Sequence, residues 1–294
     1  MGGVVVILNT AAGGGRAERR LQPWLAGLGR TEVRPTSGPG HATVLARNAV
    51  AEGADAVVAA GGDGTVHEVL QGLLASDERP RTALGILPLG TGNSFVKDVG
   101  LDDLGRAAAA VGSGNTREVD VVRVEHAAGR LWSLNIVSVG FAADAGALTN
   151  AKYKPWGVAG YVAAVVETVA DLRQHALPHA LDEGDFDARP FVLLSFCNSS
   201  STGGDMKMAP AADVSDGELD VVRIAPMRRR RFLSSFPRIF RGTHGEMPEI
   251  TMGRARSVRF AELPPTSVMI DGEVVDLSLR SLKVLPRAVR LLVP

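Results

Sequence analysis

Cysteine is nearly absent from this 294-residue chain, with Cys197 the single example. One thiol excludes an internal disulfide and any cysteine-based zinc cluster, and it fits a reducing compartment. An excess of either charge sign is missing as well. Lys and Arg total 32, Asp and Glu total 32, and the formal net charge is zero. A nucleic-acid binder usually carries a basic excess, so no nucleic acid partner is expected. The sequence also lacks an apolar run of the ~18 residues needed to cross a bilayer. The opening Met1-Gly2-Gly3-Val4-Val5-Val6-Ile7-Leu8 passes into a polar turn too soon to read as a leader, and the expected location is the cytoplasm.

What is present is 34 glycines, 16 prolines and 45% hydrophobic residues. The length suits about two domains. Roughly the first 120 residues alternate strand-like and helix-like segments. Three apolar runs, Val4–Leu8, Ala54–Ala60 and Ala83–Leu89, each end in a glycine-rich turn. Helical spacing is clearest at Val66, Val69, Leu70, Leu73 and Leu74. Such alternation predicts a parallel, doubly wound α/β sheet, where ligands bind beyond the carboxyl ends of the strands. From about Val121 short alternating runs follow, among them Phe191–Phe196, Leu219–Ile224, Ser267–Ile270 and Glu273–Leu277. They predict an antiparallel β-sandwich, interrupted by helices near Val158–Gln174 and Arg228–Arg241. The expected division is an α/β nucleotide-binding domain over 1–122 and a β-sandwich substrate domain over 123–294, with a cleft between them. About the last ten residues are expected to return to the first domain.

Gly61-Gly62-Asp63-Gly64-Thr65 lies between an apolar strand and an amphipathic helix. Glycines let backbone approach a polyphosphate closely, and the amides opening the helix face the anion. Asp63 cannot itself attract phosphate; a carboxylate there makes sense as a ligand to Mg²⁺. Alone, one such turn reads equally as an ordinary strand-to-helix connection. The companion turns Asn9-Thr10-Ala11-Ala12-Gly13 and Gly90-Thr91-Gly92-Asn93-Ser94 favour the phosphate reading.

Gly61-Gly62-Asp63-Gly64-Thr65-Val66-His67-Glu68-Val69 resembles the nucleotide-binding signature of the diacylglycerol kinase catalytic domain, and its His-Glu-Val is similar to sphingosine kinases. The family's Asn-Pro-x-Ser-Gly turn is matched by Asn9 to Gly13, with Thr10 and Ala12 in place of its Pro and Ser. Thr36 ahead of Gly40-His41-Ala42, and Gly90-Thr91-Gly92-Asn93-Ser94-Phe95 with Ser94 in place of Asp, complete the match. The resemblance implies a phosphofructokinase/NAD kinase-like first domain. It also implies that Asn9, Thr10, Ala11, Ala12, Gly13, Thr36, Gly61, Gly62, Asp63, Gly64, Thr65, Val66, His67 and Thr91 surround ATP.

Asp271-Gly272-Glu273 follows the strand-like Val268-Met269-Ile270 and, read alone, is a common hairpin turn. The resemblance makes Glu273 the general base for a lipid hydroxyl, alongside Asp63 as the second catalytic carboxylate. Asp213-Val214-Ser215-Asp216-Gly217-Glu218 reads alone as a solvated acidic loop. By resemblance Asp216 is the firmest ligand of a structural Mg²⁺, with Asp213 and the Glu218 carbonyl beside it. Asp144 resembles a sphingosine kinase aspartate facing the lipid head group, and reads equally as a helix N-cap. His126, His175, His179 and His244 show no metal-ligand spacing and are assigned nothing.

Residues 227–242 hold six arginines and no acid, with Phe232, Leu233, Phe236, Ile239 and Phe240 at helical spacing and Pro237 as an interruption. Such a helix either lies on anionic lipid or packs its apolar stripe on the β-domain. The stretch Trp156–Ala170, with Tyr161, reads as core or as a lipid slot. The expectation is an ATP- and Mg²⁺-dependent lipid kinase, peripheral to the membrane, acting on diacylglycerol or a sphingoid base; a homodimer stays open. The alternatives are an NAD kinase-like enzyme with a soluble substrate, or a catalytically silent nucleotide- or lipid-binding module.

Overall fold

The computed structural model describes residues 3–28, 31–90, 92–153, 156–203 and 205–294, without the side chains of 157–159 and 161. The chain forms two compact units. The first comprises Met1–Val121, Val214–Gly217 and Leu285–Pro294; the second comprises Val122–Asp213 and Glu218–Val284.

In the first unit, β1 (Val4–Leu8), β2 (Thr31–Pro35), β3 (Ala56–Gly61) and β4 (Ala83–Pro88) form a parallel sheet in the order β2-β1-β3-β4. Every residue of β1, β3 and β4 is buried. That is why these strands read as unbroken apolar runs: helices cover both faces of the sheet. The C-terminal segment adds a further parallel partner, with Leu291 opposite Leu84. Because β1 has β2 on one side and β3 on the other, the order reverses between β1 and β3. The helices His41–Ala51 and Asp63–Leu73 pack tightly. A Cβ on Gly72 would lie 2.3 Å from the Thr43 carbonyl oxygen and 2.6 Å from Ala46 Cβ, so only glycine allows that approach.

In the second unit, one antiparallel sheet runs Ile250–Ala255, Leu219–Ile224, Leu193–Cys197, Ile136–Gly140, Thr266–Ile270, Glu273–Leu277. Its side chains divide by period two. Val137, Val139, Leu194, Phe196, Val221 and Val268 enter one cluster with Val122, Val124, Val258 and Leu282 of the facing layer. Ile136, Leu193, Cys197, Val222 and Ile224 enter another, closed by Phe141, Val169, Phe232 and Met247. The sandwich and its helical cover therefore share one sheet. Cys197 lies inside it, and burial pushes its thiol pKa up, which keeps it protonated.

Pro237 does not interrupt its helix. Arg229–Arg241 runs continuously through it, anchored by buried Phe232, Ser235 and Ile239. Tertiary packing outweighs the loss of one intrahelical hydrogen bond.

Candidate active site

The first unit joins its glycine-rich turns by hydrogen bonds between side chains and backbone. Asn9 follows β1; its Oδ1 accepts from the Ala11 amide at 3.1 Å, and its Nδ2 donates to Thr65 Oγ1 at 3.0 Å. Thr65, almost fully buried, lies in the first turn of the helix Asp63–Leu73 that follows β3, so this bond spans the point where strand order reverses. The Thr36 amide donates to the Leu8 carbonyl, which sets the end of β2 beside the end of β1.

The second and third turns touch through backbone. The amides of Leu89 and Gly90 donate to the Gly61 carbonyl at 2.9 and 3.0 Å. A Cβ on Gly90 would sit 2.3 Å from Gly62 Cα, and one on Gly61 would sit 2.2 Å from Thr65 Oγ1. Gly90 is required by contact between the two turns, Gly61 by Thr65 of its own turn. Asp63 Oδ1 accepts from the Ser94 amide at 2.9 Å, so the carboxylate expected to face magnesium also orders the third turn. The helix Asp63–Leu73 begins at Gly62 with no side-chain cap, which leaves the positive end of its dipole for an anion. Val66 is buried and offers a ligand only backbone, while Thr10 and Ala11 are exposed. Thr91 lies outside the described residues.

Two side chains in this unit were not singled out by sequence reasoning. Arg20 reaches from the helix Ala17–Leu25 and donates through Nη1 to the Leu89 carbonyl at 3.0 Å, joining the helix after the first turn to the third. Glu68 accepts from the Gly40 and Ala42 amides at 2.8 and 3.0 Å, which caps the helix His41–Ala51 and holds the Thr36 loop. Glu68 was visible only as part of a motif.

The acidic loop is organised by a carboxylate that sequence reasoning also missed. Asp120, fully buried, accepts from the Gly217 amide at 2.6 Å and the Arg287 amide at 2.7 Å, and its own amide donates to Val214. Asp216, exposed, lies inside the loop thus held. The Glu218 carboxylate pairs with Arg254 at 3.0 Å and Arg256 at 3.4 Å, so a metal would meet only its carbonyl. Among the described residues no three of His, Cys, Asp and Glu gather as a metal cage. A Mg²⁺ at this loop would meet hard oxygens, which suit it, in exposed Asp213 and Asp216 and the Glu218 carbonyl.

In the second unit, Asp271 and Gly272 have φ of 52° and 96°, with Ile270 opposite Glu273, as in a two-residue hairpin with both central residues left-handed. Asp271 is buried and accepts from Ser133 Oγ at 2.5 Å and from the amides of Leu134, Asn135 and Ile136 at 2.9 to 3.2 Å. Four donors on one carboxylate fix the turn that presents exposed Glu273. The helix Phe141–Leu148 packs beside this strand, since a Cβ on Gly146 would lie 2.6 Å from Val274 Cγ2.

Asp144 is the fourth residue of that helix, whose N-cap position is Gly140, so it caps nothing. Its Oδ2 instead lies 2.8 Å from His175 Nε2, and His175 stacks on Phe191. A partner 31 residues away left no local signal at His175.

Two domain matches define the class, that of two-domain lipid phosphotransferases. Residues 3–124 match the diacylglycerol kinase catalytic domain, and residues 135–293 match the YegS C-terminal NAD kinase beta sandwich-like domain. The chain belongs to the diacylglycerol kinase and YegS-like lipid kinase family. It is 32% identical to a diacylglycerol kinase of Mycobacterium tuberculosis (strain ATCC 25618 / H37Rv), over 100% of this chain and 96% of that one. It is 28% identical to a probable lipid kinase YegS-like of Stenotrophomonas maltophilia (strain K279a), over 98% and 95%. A crystal structure of a diacylglycerol kinase from Bacillus anthracis str. Sterne superposes with a TM-score of 0.73 over 99% of this chain and 96% of that chain, at 20% identity, a likeness of fold alone.

Proposed function

We propose that this protein transfers the γ-phosphoryl group of ATP to the hydroxyl of a membrane lipid, diacylglycerol or a sphingoid base. The observation that carries the reading is the convergence of the three turns on the reversal point of a parallel sheet, linked by Asn9 to Thr65 and by Gly62 to Gly90. Ligands of open α/β sheets bind at such points.

In this reading Asn9 to Gly13, Thr36, Gly61 to His67 and Thr91 surround the nucleotide. The uncapped start of the helix Asp63–Leu73 faces its phosphates. Asp63, a hard-oxygen donor within the same turn, suits Mg²⁺, which would neutralise phosphate charge. Glu273 accepts the lipid hydroxyl's proton as that oxygen attacks the γ-phosphorus; the bond to the β–γ bridging oxygen breaks and ADP leaves. Asp144, held by His175, faces the head group, where an ionised carboxylate suits a sphingoid amine. Asp213, Asp216 and the Glu218 carbonyl hold a second, structural Mg²⁺. Among the described residues no helix is long and apolar enough to cross a membrane. In this reading the protein is cytoplasmic and visits the bilayer peripherally. The names of the relatives support a lipid acceptor over NAD.

The test is transfer of radiolabel from [γ-³²P]ATP to a lipid panel in mixed micelles, with NAD as a parallel acceptor. Labelled phosphatidic acid or sphingoid phosphate is expected. Label on NAD with none on lipid would overturn the reading.

A further inference from the structure

The helix Arg229–Arg241 has two apolar faces. The inner one is Phe232, Ser235 and Ile239, all buried; Phe232 joins Phe141 in the cluster under the sandwich, their ring centroids 4.7 Å apart. The outer one is Leu233, Pro237 and Phe240, spaced four and three residues apart on the solvent side. Leu233 and Phe240 are about half exposed, at 51% and 50%. The inner stripe already accounts for packing on the β-domain, so the outer stripe needs another occupant.

Beside it lies the helix Gly157–Ala170, whose Val165 and Val169 join the same buried cluster as Phe232 and Phe236. Val162 and Val166 of the same helix are exposed, and Trp156 at its start is 65% exposed. Of the ten large hydrophobics exposed among the described residues, five fall on these two neighbouring helices or that start.

Charge identifies the occupant. Six arginines lie between 228 and 241, with no acidic residue among them. Glu249 engages Arg231 at 2.9 Å and Glu246 engages Arg238 at 3.5 Å. Among the described residues no ion pair engages Arg228, Arg229, Arg230 or Arg241, which flank the outer stripe at both ends. A protein partner, or a second copy of this chain of zero net charge, would have to supply a matching acidic, apolar face. An anionic bilayer supplies both at once: headgroups for the guanidiniums and acyl chains for Leu233 and Phe240.

We infer that the outer face of Arg229–Arg241, continued by the exposed edge of Gly157–Ala170, docks this protein on anionic lipid bilayers. The inference rests on the lipid-kinase reading and adds the surface by which the enzyme reaches its substrate. Each arginine near an anionic surface strengthens partitioning by about fivefold.

The experiment is sedimentation of the full chain with vesicles of phosphatidylcholine, with and without 30 mol% phosphatidylglycerol (about a third anionic, enough for a strong surface potential). Wild type is expected to bind the anionic vesicles and to lose binding with added salt. R229Q/R230Q should weaken that binding by about 25-fold and L233S/F240S by about tenfold. Neither pair should change turnover of a short-chain diacylglycerol dispersed below its micelle concentration. Equal binding by folded variants and wild type, or equal binding to neutral and anionic vesicles, would overturn the inference. So would a wild-type dimer that L233S/F240S converts to monomer, because the occupant would then be a second copy. Should L233S/F240S fail to fold, Leu233→Trp replaces it: its emission must be quenched by brominated lipid more than that of wild type, and equal quenching overturns the docking. Salt-sensitive docking by a chain that phosphorylates no lipid would keep this surface and remove the kinase reading.

Discussion

Asn9 Nδ2 donates to Thr65 Oγ1 at 3.0 Å, a single bond between residues 56 apart that links the turn after β1 to the turn after β3. Asn9 is thereby fixed at both ends, its Oδ1 holding the Ala11 amide. Replacing Asn9 by Ala or Thr65 by Val should each cost about 1 kcal/mol of stability. The double variant should cost less than the sum, with a coupling of about 0.5 to 1.5 kcal/mol in urea unfolding. Strict additivity would show that the bond contributes nothing.

The backbone contact of Gly62 with Gly90 makes a second prediction. Gly90→Ala places a methyl 2.3 Å from Gly62 Cα, and backbone cannot yield as a flexible side chain would. The third turn must move, and kcat/KM for ATP should fall by about 100-fold, as misplacement by an ångström commonly costs. Gly253→Ala has nothing within 4 Å and serves as the control with full activity.

Asp271 and Glu273 are adjacent to one glycine yet should fail differently. Glu273→Gln should leave ATP binding by calorimetry and the melting temperature close to wild type while abolishing turnover. Asp271→Asn removes the buried charge and turns the oxygen that accepts from the Leu134 amide into a donor facing a donor, and should cost about 2 kcal/mol or more of stability. A fully active Glu273→Gln would remove Glu273 as the base.

Asp144→Asn should raise the KM for a sphingoid base several-fold and leave that for diacylglycerol unchanged, because only the amine needs the carboxylate. His175→Ala, which frees Asp144 to rotate, should shift the same constant in the same direction. Equal effects on both lipids would place the pair in packing alone.

His244 is buried, and desolvation holds its pKa below the ordinary value, with Nε2 against the Met208 carbonyl opposing in part. The folded state resists protonation, so the unfolded state binds more protons once pH drops below about 6.5. Stability should therefore fall as pH is lowered from 7 toward 5, with a slope contribution of at most about 1.4 kcal/mol per pH unit. His244→Gln, which keeps a donor for Met208, should flatten that slope in urea titrations at several pH values. An unchanged slope would assign the acid sensitivity to other groups.

Local patterns made much of this fold legible. Continuous apolar runs marked β1, β3 and β4 because both faces of each strand are covered, and Asp271-Gly272 marked its hairpin because both positions must adopt positive φ. The helix Arg229–Arg241 was legible from its spacing, but its passage through Pro237 was not, since the contacts of Phe232 that sustain it come from elsewhere in the chain.

The sequence by itself determined where strands, turns and amphipathic faces lie, for those depend on φ, hydrogen-bond patterns and side-chain period within a few residues. Only the tertiary structure decided that Gly62 must meet Gly90, that Asp120 must hold the loop at Gly217, and that His175 must answer Asp144. Those pairings arise from which strands become neighbours, and strand order leaves no imprint on the residues beside each partner.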